Sequence, residues 1–341
     1  MNSILPQLGW KPFFSEQLSA EEDGTCQPVR VMYVHRGMVT VSGEGLDDSI
    51  SSSLAEPKGL EDRPTVGDWL LIDRDGRAIV RILDRTSLFK RPAPSDERRL
   101  QLIAANVDSL FVVTSCNQDF NVARIERYLV LAGEVGVRPV LVLTKSDLSP
   151  SPERFVEAAR SLDARLQVEL VNGCDLESVA RLAAYCGVGE TVALVGSSGV
   201  GKSTLVNTLT GRETIATRAA RESDGKGLHT TTVRQMHCLG SGLEGGGWLV
   251  DTPGMRELQM SEVTAGVAEV FDDMVATALL CRFANCSHAG EPGCAIQAAF
   301  AQATLEPARF ARWRKLNGED MVNTGNAALR RARPAKAGKR K

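Results

Sequence analysis

The spacing of apolar positions changes once along the chain, near residue 100. Before that point, residues 29–34, 37–41, 69–73 and 78–83 form short runs rich in β-branched and apolar side chains, divided by Gly, Asp and Pro. Helical periodicity is weak there, so the first 85 residues predict a small β-barrel of the OB or SH3 type. Beyond Leu100, buried strands predicted at 109–114, 140–144, 167–171, 191–196 and 247–251 alternate with helices at 122–135, 153–162, 176–185 and 202–210. In the first of these helices Val122, Ile125, Leu129 and Ala132 share one face. Alternation of this kind predicts a mainly parallel sheet with helices on both faces, and ligands at the carboxyl ends of its strands. Between the two regions, Lys90–Asp96 (KRPAPSD) reads as a linker because its prolines resist both helix and strand. No internal repeat is found.

Composition bounds this picture. A chain of 341 residues fits two or three domains, and 43% hydrophobic with 24% charged residues supports packed cores. No run of 18 apolar residues occurs, and the N-terminus lacks a cationic start before an apolar core, so neither a membrane span nor a secretory signal is expected. In such a chain, eight cysteines point to reduced thiols or metal ligands before disulfides.

The net charge of −2 conceals a division. Residues 309–341 hold eleven Lys/Arg against two acids, a local +9, which leaves −11 for residues 1–308. The last stretch, 330–341 (RRARPAKAGKRK), is expected to be disordered when free and to suit a polyanion. The barrel region itself is acidic, with nine Lys/Arg against fourteen Asp/Glu.

Gly196-Ser197-Ser198-Gly199-Val200-Gly201-Lys202-Ser203, followed by Thr204, matches the phosphate-binding loop. Glycines allow successive backbone N–H groups to turn around phosphate oxygens, and the following helix offers its positive end. Lys202 would reach the β/γ-phosphates and Ser203 would ligate Mg²⁺. Asp251-Thr252-Pro253-Gly254 ends an apolar strand about fifty residues later. There Asp251 would support the metal and the Gly254 N–H would meet the γ-phosphate. Met255 stands where many GTPases place a water-orienting glutamine, and a thioether cannot do that work. Between these motifs lies Gly225–Thr232 (GKGLHTTT). Thr230, Thr231 and Thr232 are candidate Mg²⁺ ligands, with Thr231 assigned to the nucleotide site. His229 is either a water-orienting residue or an ordinary loop histidine.

Thr144-Lys145-Ser146-Asp147 follows the strand VLVL and matches a guanine box. The Asp147 carboxylate would accept the N1–H and N2–H₂ of guanine, a donor pair that adenine lacks. A helix N-cap is the plainer reading of TKSD taken alone. The box precedes the phosphate loop by about fifty residues, the reverse of the usual order, as in circularly permuted GTPases. The DTPG segment therefore leads directly into the C-terminal region. Val171-Asn172-Gly173 occupies the place of the fifth GTPase element, without its usual Ser-Ala.

Cys281, Cys286, His288 and Cys294 provide three thiolates and one imidazole within fourteen residues. That donor set fills a tetrahedral zinc site and leaves no position for water, so a structural role is expected. Residues 306–316 place Phe310 and Trp313 among Arg309, Arg312, Arg314 and Lys315. Such a helix suits an RNA surface or packs on the zinc module with its charges solvated.

Together these residues resemble the RsgA (YjeQ) family of ribosome small-subunit-dependent GTPases. The resemblance rests on LGW..FF near the N-terminus, VGDW, LxxIAANVD at Leu100–Asp108, TKSD, GSSGVGKST, HTTT, DTPGMRE and CRFANCSH…EPGC. It departs at Leu228, where the family usually has a basic residue, at the fifth element, and in the acidic barrel. The resemblance implies three domains: an OB barrel at 1–89, a circularly permuted α/β P-loop GTPase domain at 90–260 and a mainly helical zinc domain at 261–329. The basic tail, 330–341, would follow. It further implies a cytoplasmic, monomeric GTP hydrolase using GTP/GDP with Mg²⁺ and one Zn²⁺. Its partners would be the 30S subunit and its 16S rRNA, with no DNA or membrane, and it would act as a checkpoint of late subunit maturation with a catalytic part for His229 and Lys202. The rival readings are a large-subunit assembly GTPase and an RNA-binding switch in which hydrolysis is incidental.

Overall fold

The computed structural model describes residues 3–35, 37–54, 59, 61–75, 77–93, 96–163, 165–211, 234–239, 246–251 and 264–318. They divide into two compact units, Met1–Val122 with Val135–Leu258, and Ala123–Glu134 with Gln259–Lys341. His229, the threonines 230–232, Gly254, Met255 and the basic tail lie outside the described residues.

In the first unit, the short helices α1 (Pro12–Ser15) and α2 (Ala20–Thr25) precede five barrel strands. Ser19 and Glu22 form a reciprocal capping box that starts α2. The strands are β1 (Cys26–Val34), β2 (Met38–Gly43), β3 (Leu46–Ser51), β4 (Trp69–Asp73) and β5 (Ile79–Ile82). β1 pairs antiparallel with β2 and β4, β2 with β3, and β4 with β5. A parallel bridge between Leu54 and Ile79 closes the circuit. This is OB connectivity. Alternate positions face inward, so Val29, Val31, Val39, Val41, Leu70 and Ile72 share one core. The opposite face of β4 carries Trp69 and Leu71, which pack with Leu8, Trp10 and Phe14 of the LGW..FF segment. Trp10 meets Trp69 edge-on at 4.8 Å.

The linker expected at 90–96 is replaced, at its described residues, by strand: Lys90–Ala93 and Asp96 belong to a two-stranded antiparallel ribbon, β6 (Leu88–Ala93) with β7 (Asp96–Ala105). Pro92 is accommodated because the ribbon has no further strand to serve, and its pairing shifts at Phe89/Lys90 and Pro92/Ala93.

The nucleotide sheet follows. Its strands are β8 (Ser109–Ser115), β9 (Arg138–Thr144), β10 (Gln167–Leu170), β11 (Thr191–Val195), β12 (Arg234–Cys238) and β13 (Trp248–Asp251). They lie in the order β10-β9-β8-β11-β13-β12. All pair in parallel except β12, which runs antiparallel to β13. The connecting helices are α3 (Val122–Glu134), α4 (Glu153–Arg160), α5 (Leu176–Val179) and α6 (Lys202–Thr210). The helix expected at 176–185 keeps one capped α-turn and continues as a 3₁₀ helix, Ala180–Tyr185. Phe111, Val113, Val140, Val142, Val192, Leu205 and Leu249 form the core under the sheet. The other edge of β12 pairs with β1 through Tyr33↔Gln235 and Val34↔Arg234, so barrel and nucleotide sheet are continuous.

Buried polar groups seal that union. The Arg30 guanidinium is 1% exposed and donates to the Leu8 carbonyl, to Thr191 Oγ1 at 2.7 Å and to the Asn106 carbonyl at 3.4 Å. Burial lowers its pKa to about 10, which leaves it charged at neutral pH. Asp68 accepts both arms of Arg85, at 2.6 and 2.8 Å, and the Thr65 N–H at 2.7 Å. Gly67 (φ +88°) runs so close to β7 that a Cβ would stand 2.2 Å from the Ala105 carbonyl. Asn106, itself at φ 55°, donates to the Gly67 carbonyl at 3.0 Å and accepts the Thr86 N–H at 2.9 Å. Asp108 joins Lys11 (2.5 Å) to the Thr191 N–H (2.8 Å). VGDW and AANVD are thus two halves of one seam.

The second unit holds α3 together with α7 (Thr264–Val270), α8 (Asp272–Ala278), α9 (Ala295–Ala301) and a last helix, α10, at 307–318. Glu126 of α3 has no side-chain exposure and receives Arg312 at 2.6 Å and Arg309 at 3.4 Å. Arg309 also donates to Asp273 and to the Val270 carbonyl. Gly266 permits α7 to cross α3 closely, since a Cβ there would lie 2.0 Å from the Val130 carbonyl.

The Asp68–Arg85 pair sets a stability test. Asp68 has no side-chain exposure and Arg85 has 12%. Removing one member of a buried pair leaves the other charge stranded, at a cost of about 3 kcal/mol or more. Arg85→Ala is expected to lower the urea unfolding free energy by that amount. A loss under ~1 kcal/mol would show that the pair does not hold the seam.

Candidate functional site

β11 ends at Val195, and the loop of residues 196–201 carries the chain into α6. Gly196 has φ +144°, and a Cβ there would lie 2.2 Å from the Val113 carbonyl of β8. Gly199 and Gly201 also adopt positive φ, at 86° and 95°. The loop needs glycine for backbone reasons at these positions, independently of any ligand. Val200 is buried and anchors the loop on the core. Lys202 folds back over the loop, where its ammonium donates to the Gly196 carbonyl at 2.7 Å and to the Ser197 carbonyl. Ser203 and Thr204 form the first turn of α6, whose N-terminal N–H groups open toward the loop.

The TKSD residues sit against this loop. Thr144 ends β9, is buried, and donates its hydroxyl to the Val200 carbonyl at 2.5 Å, with the Thr114 carbonyl 3.1 Å from the same oxygen. Lys145 takes the left-handed conformation (φ 56°) and its ammonium reaches the Gly199 carbonyl at 2.8 Å. Ser146 and Asp147 begin a 3₁₀ turn, Ser146–Leu148, and Asp147 is exposed. Val171-Asn172-Gly173 lies alongside: the Ser146 N–H points to the Val171 carbonyl at 3.5 Å, and Thr208 of α6 donates to the Gly173 carbonyl at 2.7 Å. Three loops from the carboxyl ends of β9, β10 and β11 therefore converge. The arrangement can present backbone N–H groups and a lysine to phosphates, with a carboxylate a short distance away. Asp251 closes β13 opposite Gln235 of β12.

A second site lies in the C-terminal unit. The ligand atoms of Cys281, Cys286, His288 and Cys294 lie within 4.8 Å of one another. His288 Nδ1 stands 3.5 Å from Cys281 Sγ and 3.6 Å from Cys294 Sγ. Tetrahedral Zn²⁺, with Zn–S near 2.3 Å and Zn–N near 2.0–2.1 Å, spaces nitrogen and sulfur by about 3.6 Å. The donor set fits zinc in number, type and spacing. His288 has positive φ (59°), and its loop is tied by Glu291. One Glu291 oxygen accepts the Ser287 N–H (2.7 Å) and hydroxyl (2.5 Å), and the other accepts the N–H groups of Ala289 (2.9 Å) and Gly290 (3.2 Å). These bonds, Ser287 first, hold its carboxyl down at about 2. Sequence reading passed over Glu291, although its place between His288 and Cys294 in EPGC was the available signal. The α10 residues Phe310 and Trp313 are both buried, with rings 6.0 and 5.9 Å from that of His288. The aromatic face of the basic helix is therefore packed on the Cys₃His module.

A strand, phosphate loop and helix, with a TKSD loop locked to them and supplied from earlier in the chain, define a P-loop GTPase of circularly permuted order, preceded by an OB barrel. The model of the RsgA GTPase family matches residues 82–261. A Mesorhizobium japonicum protein named small ribosomal subunit biogenesis GTPase RsgA is 47% identical over 323 residues, covering 94% of this chain and 91% of the relative. The chain belongs to the RsgA GTPase family and is a GTP hydrolase. The crystal structure of YjeQ from Thermotoga maritima is similar at 25% identity, with a TM-score of 0.61, covering 85% of this chain and 97% of that one. A structure titled YloQ, a circularly permuted GTPase, shares the fold at 22% identity and a TM-score of 0.58, over 86% of this chain and 94% of that one. Among the described residues no helix is long and apolar enough to cross a membrane.

Partners that orient metal-binding loops typically control metal affinity by about tenfold or more. Glu291→Gln keeps the shape but replaces one carboxylate oxygen by an NH₂ donor, which faces two of the four donors. Zinc transfer from the intact protein to a colorimetric chelator should accelerate by about tenfold. An unchanged transfer rate would reduce Glu291 to a surface loop residue.

Proposed function

We propose that this GTPase acts on the small ribosomal subunit in the cytoplasm, binding the 30S particle late in its maturation and hydrolysing GTP in response to it. The observation that most directly supports the nucleotide reading is the contact between the two loops, Thr144 to Val200 and Lys145 to Gly199. A guanine nucleotide that spans the two segments would need them held together in this way. On this reading Asp147 accepts two hydrogen bonds from guanine. The amides of residues 196–204 cradle the phosphates, and Lys202 joins them in stabilising transferred charge. Ser203 and Thr231 ligate Mg²⁺, Asp251 supports it, Gly254 meets the γ-phosphate, and His229 orients the attacking water.

The partner assignment is supported by the names of the relatives from Mesorhizobium japonicum and Vibrio parahaemolyticus, both small ribosomal subunit biogenesis GTPases. It is also supported by the basic charge of residues 314–341, nine Lys/Arg against two acids, which suits 16S rRNA, whereas Arg309 and Arg312 are already paired with Glu126. A checkpoint follows if hydrolysis awaits the mature subunit and then releases the factor.

Base identity has its own test. Asp147→Asn exchanges an acceptor for a mixed donor and acceptor, so GTP affinity should fall by roughly a hundredfold, in the range of a lost charge-assisted pair. Xanthosine triphosphate, whose C2 carbonyl accepts where guanine donates, should recover part of it. Retained GTP affinity in the variant would remove Asp147 from base reading.

The partner is tested by hydrolysis rates with and without purified 30S and 50S particles. Stimulation by 30S is expected, and stimulation by 50S alone would overturn the assignment. His229→Ala should abolish subunit-stimulated turnover while 30S binding persists. Turnover equal to wild type would remove His229 from the mechanism.

A further inference from the structure

Almost every backbone group of the loop after β10 is paired within the protein. The Val171 N–H donates to the Leu143 carbonyl at 2.9 Å, and the Asn172 N–H to Ser178 Oγ at 2.9 Å. Asn172 Oδ1 accepts the Cys174 N–H at 3.0 Å, an Asx turn standing where the fifth GTPase element usually has Ser-Ala. The Asn172 carbonyl accepts the Asp175 N–H at 3.1 Å. Thr208 supplies a further tie from α6. A helical threonine commonly bonds the carbonyl four residues back. Here the Thr204 carbonyl lies 3.1 Å from Thr208 Oγ1 and the Gly173 carbonyl 2.7 Å, so the hydroxyl donates to the loop. The peptide planes on both sides of Gly173 are therefore held.

One donor is left over. Among the described residues the Gly173 N–H has no hydrogen-bond partner, although Gly173 is buried. A Cβ built on Gly173 would meet no atom within 4 Å, so the residue borders space free of protein. Buried backbone N–H groups are paired in folded proteins with few exceptions. A fixed, unpaired one beside open space is suited to an acceptor on a ligand. The loop also adjoins the TKSD segment: β9 and β10 are parallel neighbours, and the Ser146 N–H lies 3.5 Å from the Val171 carbonyl.

We propose that Thr208 is a positioning residue for base selection, holding the loop so that the Gly173 N–H donates to the O6 carbonyl of guanine. This rests on the base-reading role of Asp147 proposed above and extends it along the same edge of the purine. Asp147 takes N1–H and N2–H₂, and Gly173 takes the neighbouring O6. Adenine carries an amino group at that position, and two donors brought face to face repel. Thr208 stands six residues beyond Lys202, about 9 Å along the helix, so its part in base selection is separable from phosphate binding.

Equilibrium affinities of the full-length protein for GDP, 6-thio-GDP and ADP test this. The thio analogue keeps N1–H and N2–H₂ for Asp147 but offers sulfur, a weak acceptor, in place of O6. Wild type should bind it roughly 3- to 10-fold more weakly than GDP, the size of one neutral hydrogen bond. Thr208→Val keeps the shape and removes the hydroxyl. It should weaken GDP by a similar factor and leave 6-thio-GDP unchanged, and Thr208→Ser should restore GDP. A role confined to the packing of α6 would lower GDP, 6-thio-GDP and ADP alike, which overturns the proposal. So does wild type that binds GDP and 6-thio-GDP equally, a result that depends on no variant. Wild type that binds ADP as tightly as GDP would defeat the Asp147 reading itself. A strong preference for GDP that Thr208→Val leaves untouched would defeat only the part given to Thr208.

Discussion

Arg30 is a full charge almost entirely removed from water, and the joint between barrel and nucleotide sheet is arranged around it. A buried guanidinium is tolerable only when its N–H groups find fixed acceptors. Those acceptors come from the N-terminal segment, from the turn after β7 and from the first residue of β11. The three segments cannot separate without stranding the charge. β11 runs straight into the loop of residues 196–201, so the bond from Arg30 to Thr191 also places the root of that loop relative to the barrel.

The same economy of contacts governs the nucleotide site. Chain order is permuted, yet neighbouring parallel strands still end at one edge, and their loops meet whatever the order in which they were made. Thr144 and Lys145 fasten to carbonyls of the glycine-rich loop, so the TKSD segment and that loop are tied directly to each other. The permutation alters what lies downstream of Asp251. It also leaves α3 in the company of the C-terminal helices, through the Glu126 pairs with Arg309 and Arg312.

The phosphate loop, TKSD and the cysteine–histidine set were legible because their chemistry dictates residue type and spacing together. The parallel strands were legible for a related reason: burial on both faces demands continuous apolar runs. β3 was missed because Asp47 and Asp48, adjacent and so on opposite faces of the strand, break its apolar alternation. β12 was missed because Arg234, Gln235 and His237 are polar, and their ladder partners stand far away in sequence. The ribbon at 88–105 was obscured by prolines that a two-stranded element tolerates. VGDW and AANVD were visible as motifs, but their meaning was not, since Gly67 and Asn106 make sense only beside each other. Glu126 held the clue to the company of α3: an acid amid apolar neighbours needs a cation from elsewhere.

The pairing of β12 with β1 bears on how the protein can be taken apart. Gln235 faces Tyr33 on one side and Asp251 on the other, so the barrel serves as the last strand-forming neighbour of the nucleotide sheet. Removing the barrel would bare one ladder of β12 and uncover the Trp248 side that packs with Leu8, Phe14 and Trp69. An open edge beside an apolar face is a template for self-association. The nucleotide region is thus a poor candidate for life as an independent fragment, because the barrel covers the strand edge and apolar face through which it would self-associate.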